Sequence, residues 1–259
     1  MSAMGKKEVR EGETVDAILG GRLQILQKAK GYRFSIDAIL LARFVRSRQE
    51  DRLIDLGTGS GIMALILAAR GQCESAVGIE IQEDLAMMAR RTVELNGLSE
   101  KIRICEGDIR KIESLVKERS FDWAVFNPPY RKLRSGRINP DIQKAVARHE
   151  IKGTLDDFLK AAGYALKLSG RVSLIYPAAR LVEAVTRMKA NRLEPKRLQV
   201  VHSYRSTGGE FVLLEGAKGG REELEVLKPL VIYEDHGDYT DETAAILNGR
   251  LSSPEAAGG

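Results

Sequence analysis

The chain has 259 residues, of which 43% are hydrophobic and 30% charged, which suits one soluble α/β domain of the larger kind with a sizeable core. Its longest apolar runs, such as residues 62–69, fall far short of the roughly 20 residues that span a bilayer, and residues 1–7 carry no apolar stretch of a secretory signal. Cys73 and Cys105 stand apart without a CxxC pair, so neither a zinc site nor a disulfide framework is expected; no metal, no membrane and a cytoplasmic location are the corresponding expectations.

In chain order, residues 52–56 form a short apolar run ending in glycines, which predicts a buried strand. Residues 61–70 are apolar at helical spacing and stop at Gly71, and residues 75–80 read as a second strand. Residues 83–96 predict a helix, with Leu85, Met88, Ala89 and Val93 on one side and Gly97 past its end. Strands follow at 102–105 and 121–126, then a helix at 156–168, a strand at 171–176 and a helix at 178–190. Residues 198–203 and 210–215, joined without a helix, predict an antiparallel hairpin. Alternating strands and helices imply an α/β fold, a mostly parallel sheet with helices on both faces and this hairpin at its end.

Asp55-Leu56-Gly57-Thr58-Gly59-Ser60-Gly61 lies between the first strand and the first helix. Glycines there let the backbone turn tightly and approach a ligand beyond the strand ends. The spacing is GxGxG, not GxGxxG, and an acid precedes it. A carboxylate gains little beside a pyrophosphate, whereas S-adenosylmethionine brings an ammonium and a sulfonium. Glu80 ends the second strand, where an acid can accept from both ribose hydroxyls, with Ile81 beside it. Asp108 follows the third strand and can accept from an adenine amino group, with Ile109 offering its amide and an apolar contact. A nicotinamide cofactor is the competing reading of the glycines. Three acids at successive strand ends favour S-adenosylmethionine, held by Asp55, Gly57, Thr58, Gly59, Gly61, Glu80, Ile81, Asp108 and Ile109.

The fourth strand runs straight into Asn127-Pro128-Pro129-Tyr130. The prolines fix the backbone, so the Asn127 side chain and the Pro128 carbonyl are held rigidly. An exocyclic amine on a base is a poor nucleophile, because its lone pair is delocalised into the ring. Donation of its two N–H groups to the Asn127 amide oxygen and the Pro128 carbonyl would favour a pyramidal nitrogen facing a sulfonium methyl. Catalysis is then positioning and electrostatics, with Asn127, Pro128, Pro129 and Tyr130 as the expected transfer residues and Asn127 also lining the cofactor pocket. Tyr130 offers a flat face on which an extruded base can stack.

Net charge is +5. Seven basic residues fall within 131–152, and seven more (Arg180, Arg187, Lys189, Arg192, Lys196, Arg197, Arg205) within 180–205. Two basic stretches flanking one site would attract a polyanion. Arg131, Lys132, Arg134, Arg137 and Arg148 are the expected nucleic-acid contacts.

With both motifs in place, the sequence resembles the class I (Rossmann-like) methyltransferases with an NPPY signature, and more narrowly the bacterial tRNA(Val) adenine-N6 methyltransferases acting at position 37 in the anticodon loop. The supporting segments are 31–42, 55–61, 126–130 and 147–150, then 229–233 and 237–240. The resemblance implies that Phe34, Ser35 and Asp37 pack against the cofactor; Ile36, Ile39, Leu40 and Phe44 equally have the spacing of a core helix face. Along the chain, the expected division is an N-terminal extension packing on the core (1–45), a methyltransferase domain (46–220) and a polar, partly mobile C-terminal tail (221–259). The expected activity is S-adenosylmethionine-dependent N6-adenine methylation of RNA, tRNA above all; the oligomeric state is left open, with a monomer favoured. Methylation of another planar amine, such as a protein glutamine or an rRNA base, and a non-catalytic RNA-binding module are the alternatives.

Overall fold

The structure, a computed structural model, describes residues 9–30, 35–129 and 153–250. Strands β3 (Arg52–Leu56), β4 (Ser75–Glu80), β5 (Ile102–Glu106), β6 (Phe121–Phe126) and β7 (Leu166–Pro177) form the parallel part of one sheet. Strands β8 (Leu193–His202) and β9 (Gly209–Lys218) complete it as an antiparallel hairpin, with β9 inserted between β7 and β8. Two-residue strands β10 (Glu225–Val226) and β11 (Leu230–Val231) lie parallel on the outer edge of β8. The order along the sheet is β10-β8-β9-β7-β6-β3-β4-β5.

These strands are nearly continuous apolar runs because both faces are covered. On one face Leu53, Ala76, Trp123 and Val125 pack under helices α1 (Ile36–Phe44), α2 (Ile62–Ala69) and α3 (Glu83–Leu95). On the other face Ile54, Leu56, Val77, Ala124 and Phe126 meet helices α4 (Leu155–Ala165) and α5 (Leu181–Ala190). Leu53 and Ile54 therefore point to opposite faces, as the two-residue period of a strand requires. Helix α4 starts at a capping box in which Thr154 and Asp157 exchange side-chain and backbone bonds.

Three observations depart from the sequence reading or add to it. Helix α4 ends at Ala165, not near residue 168, because Leu166 is buried and pairs with Phe121 as the start of β7. Residues 13–28 form a separate hairpin, β1 (Glu13–Ile18) with β2 (Leu23–Lys28), which docks on α3. Asn96 accepts from the Gln24 amide at 2.9 Å and donates to its carbonyl at 2.7 Å, and Arg91 clasps Glu13 with two 2.8 Å bonds. Within 221–250, helix α6 (Asp241–Leu247) is tied to α1 by the Arg43–Glu242 ion pair at 2.7 Å. No helix among the described residues is long and apolar enough to cross a membrane.

Candidate active site

The sheet order gathers the motifs. Strands β6, β3, β4 and β5 are consecutive neighbours, so Asn127, the glycine loop, Glu80 and Asp108 stand in a row along one edge. The chain runs outward from β3 through β4 to β5 and then returns to β6 on the other side of β3. This reversal of strand order opens a crevice at the carboxyl ends of β3 and β6, where open α/β sheets bind ligands. Asp55 pairs with Val125 in the β3–β6 ladder, so Asn127 lies level with Gly57, each two residues further on.

Asp55 is 1% exposed at the end of β3. Its Oδ2 accepts from the Thr58 hydroxyl at 2.5 Å, while its Oδ1 is buried without a hydrogen-bond partner. Burial pushes the carboxyl up to about 7, against the lowering effect of the Thr58 hydroxyl and the Ala64 amide at the start of α2, with the Glu80 charge adding to the rise. The loop that follows uses glycine where conformation requires it: Gly57, Gly59 and Gly61 have φ of 70°, 58° and 81°. A side chain on Gly57 would also press within 3.1 Å of the Phe158 ring, which packs at a tilt against Phe126. Thr58 packs against the face of Gly78, where a Cβ would come within 2.9 Å of its side chain.

Glu80, 4% exposed, is bound to the loop itself. Its Oε2 accepts from the Gly59 amide at 3.0 Å and its Oε1 from the Gln82 amide at 3.0 Å. Ile81 is half-buried next to it. Asp108 caps the 3-10 turn Ile109–Ser114 by accepting from the Arg110 amide, and its carboxylate is gripped by the Arg110 guanidinium at 2.6 and 2.9 Å. That guanidinium holds the Asp108 carboxyl below its ordinary range. Ile109 is buried. On the far side of β6, Pro128 is buried, with Asn127 and Pro129 half-buried. Ser35 precedes α1, and burial raises the Asp37 carboxyl, which the Ser35 hydroxyl partly offsets. Phe34, Tyr130, Arg131, Lys132, Arg134, Arg137 and Arg148 lie outside the described residues, as does the end of the expected tail.

A model of the methyltransferase small domain matches residues 35–190. The chain belongs to this family. It is 34% identical over 188 residues to a protein of Porphyromonas gingivalis named tRNA1(Val) (adenine(37)-N6)-methyltransferase, covering 70% of this chain and 73% of that one. A Tolumonas auensis protein of the same name is 28% identical over 82% of this chain and 86% of its own length. A crystal structure of a predicted O-methyltransferase from Agrobacterium tumefaciens superposes with a TM-score of 0.68 at 25% identity, covering 83% of this chain and 97% of that one.

As a family member the chain is an S-adenosylmethionine-dependent methyltransferase, and the residues present fit that cofactor. The test is the buried Asp55 Oδ1, an acceptor without a donor, which an ammonium group would satisfy. A pyrophosphate at the same point would place anion against acid.

The methyltransferase fold also brings to this edge residues that sequence reasoning passed over. Tyr176, near the end of β7, is one strand from the Asn-Pro-Pro turn; burial lifts its hydroxyl to about 12, and the Arg180 guanidinium sits 4.7 Å from its ring centre. Tyr233 stacks on Tyr239 with ring centres 5.2 Å apart and meets Tyr204 at a tilt, 5.5 Å away, and Glu210 lies near enough to Asp37 to raise it. The signal was available: each tyrosine follows or ends a strand that points to the same edge, and Glu210 opens the antiparallel strand that starts there. The second basic run does not flank the site as a unit. Helix α5 and strand β8 each cross the depth of the sheet, leaving Arg180 and Arg205 near the site but Arg197 midway along β8, its side chain buried against Glu215.

Proposed function

We propose that this methyltransferase transfers a methyl group to N6 of an adenine in transfer RNA, at the anticodon-loop position 37 that its relatives' names give. The observation that carries the reading is Asn127-Pro128-Pro129 leaving β6 level with the glycine loop on β3. Bound S-adenosylmethionine supplies an electrophilic methyl on a sulfonium. The chain's own residues position the amine. The Asn127 side-chain oxygen and the Pro128 carbonyl accept its two N–H groups, which pulls the nitrogen lone pair out of the ring system. A nitrogen that took the methyl would become cationic and give up one proton to solvent water. No strong base is required, and preorganised acceptors provide the rate enhancement.

Asp55 and the loop hold the amino-acid end of the cofactor, Glu80 its ribose hydroxyls, and Ile109 flanks its adenine. Asp108, already engaged by Arg110, would share its carboxylate with the adenine amino group, and Ser35 and Asp37 close the pocket from α1. Tyr130 stacks on the target base, and Arg131, Lys132, Arg134, Arg137 and Arg148 meet RNA phosphates. A cytoplasmic location accords with this substrate.

The test is labelled methyl transfer from S-adenosylmethionine to tRNA from a strain lacking the activity, against a protein acceptor pool in parallel. Incorporation into tRNA supports the reading; incorporation into protein alone, or into neither, overturns it. RNA affinity should also fall steeply with salt, as phosphate contacts require.

A further inference from the structure

A second concave site lies at the opposite edge of the sheet, where β3 and β6 begin. It is a cavity of about 520 Å³ whose walls carry five cations (Arg46, Arg48, Lys167, Arg171 and Arg197) against three carboxylates (Asp51, Asp122 and Glu215). The acids are already engaged. Glu215 accepts from Arg171 at 2.7 Å and from Arg197 at 2.6 Å, and Asp122 accepts from Lys167 at 2.7 Å and from the Arg52 amide at 3.0 Å. Asp51 accepts from the Arg48 amide at 2.8 Å.

Arg197 is the centre of this wall. It is 5% exposed, with its guanidinium 4.5 Å from the Phe44 ring centre. Its Nε and Nη2 are buried without a hydrogen-bond partner, although Nε lies 3.7 Å from Glu225. Buried charged N–H groups are costly to leave unpaired, so Arg197 keeps an uncompensated positive field on this wall.

The wall carrying Lys167 is itself a built feature. Between Phe121↔Leu166 and Trp123↔Arg171, β7 advances five residues (166 to 171) while β6 advances two (121 to 123). The surplus loops out over the cavity. Ser169 takes a left-handed φ of 62°, and a Cβ on Gly170 would lie 2.9 Å from the Lys167 carbonyl and 3.2 Å from that of Asp122. Strained, glycine-dependent bulges of this kind collect at functional sites.

We propose that this cavity binds a phosphate-bearing anion, at a site distinct from the methyl-transfer edge. Guanidinium groups from three segments of the chain converge on it, and their planar forks match the oxygens of a phosphate. Low-dielectric walls concentrate the field of the surplus positive charge. The volume suits a group of pyrophosphate to nucleotide size. The phosphate can come from a free compound or from the backbone of an RNA that reaches round from the transfer edge, roughly 16 Å away at about 3.3 Å per residue along β6. The inference does not rest on the identity of the methylated base.

Titration of the full-length protein with pyrophosphate, followed by calorimetry at constant ionic strength set with chloride, tests it. One saturable site is expected. Arg48→Gln combined with Lys167→Gln, at the exposed mouth, should weaken it at least tenfold while S-adenosylmethionine binds within twofold of normal. If pyrophosphate also competes with RNA and the double variant raises the KM for RNA, the occupant is backbone phosphate; if the KM is unchanged, it is a free phosphate compound. Pyrophosphate binding no tighter than chloride, or binding equally to the double variant, overturns the proposal.

Discussion

The Gly59 amide donates to the Glu80 carboxylate at 3.0 Å, joining the glycine loop of one strand to the acid that ends the next. The loop and the proposed ribose acceptor are thus assembled before any ligand arrives. A ribose hydroxyl pair would meet a carboxylate whose position is fixed from behind, so little ordering remains to be done on binding.

Replacing Glu80 should therefore act twice. Glu80→Ala removes the acceptor of the ribose hydroxyls and also the acceptor that holds Gly59. Loss of hydrogen bonds to a charged group, at about 1.5–3 kcal/mol, predicts a rise in the dissociation constant for S-adenosylmethionine of roughly ten- to a hundredfold. Calorimetry would measure it, and an affinity within twofold of normal would remove Glu80 from the site.

Asn127→Ala should separate binding from chemistry. The methyl-transfer rate is expected to fall by about two to three orders of magnitude, as when a preorganised polar group at a reacting centre is removed. The cofactor affinity should stay within a few-fold. Single-turnover kinetics beside equilibrium titration distinguishes the two.

The Asp55 carboxyl gives a pH signature. Its folded value, about 7, lies above the ordinary 3.8, so between these values the folded protein holds a proton that the unfolded chain has released. The associated stability is present in full below about pH 4 and is lost as pH rises through 7, a few kcal/mol at most. Asp55→Asn should remove that slope, read as urea midpoints from pH 4 to 8. A bound ammonium favours the ionised form, so wild-type affinity for S-adenosylmethionine should climb from pH 5 to 7 with proton release, and that of the Asn variant should not.

Glu215 supplies a stability test away from the transfer edge. Its two oxygens hold Arg171, which is half-buried, and Arg197, which is buried. Glu215→Ala leaves the buried Arg197 without its hydrogen-bonded counter-ion, which costs about 3–5 kcal/mol. Arg171→Ala removes a partly solvated pair and should cost about 1 kcal/mol or less. Equal losses in denaturant melts would contradict this ranking.

The elements of the candidate site were readable in the sequence where their chemistry is local. Asp55 to Gly61, Glu80 and Asn127 to Pro129 announce themselves through residue types that only strand ends and tight turns require. The parallel strands were readable because burial on both faces leaves unbroken apolar runs. What escaped depends on distant partners. Strand β2 is held on α3 by Asn96 and by Thr92, which accepts from the Leu26 amide at 3.3 Å, and no local pattern near residue 26 announces that. The two-residue strands β10 and β11 exist because β8 offers an edge. Leu166 to Leu168 continue the apolar pattern of α4, and only pairing with Phe121 makes Leu166 a strand residue. Asp108 was placed correctly at its strand end, but its capture by Arg110 is a side-chain choice that the spacing left open.

The most direct test of the central claim is mass spectrometry of nucleosides from tRNA of a strain lacking this activity, before and after treatment with the purified protein and S-adenosylmethionine. N6-methyladenosine should appear with the wild-type protein and be absent with Asn127→Ala. A methyl group on another nucleoside, or none on tRNA at all, would contradict it.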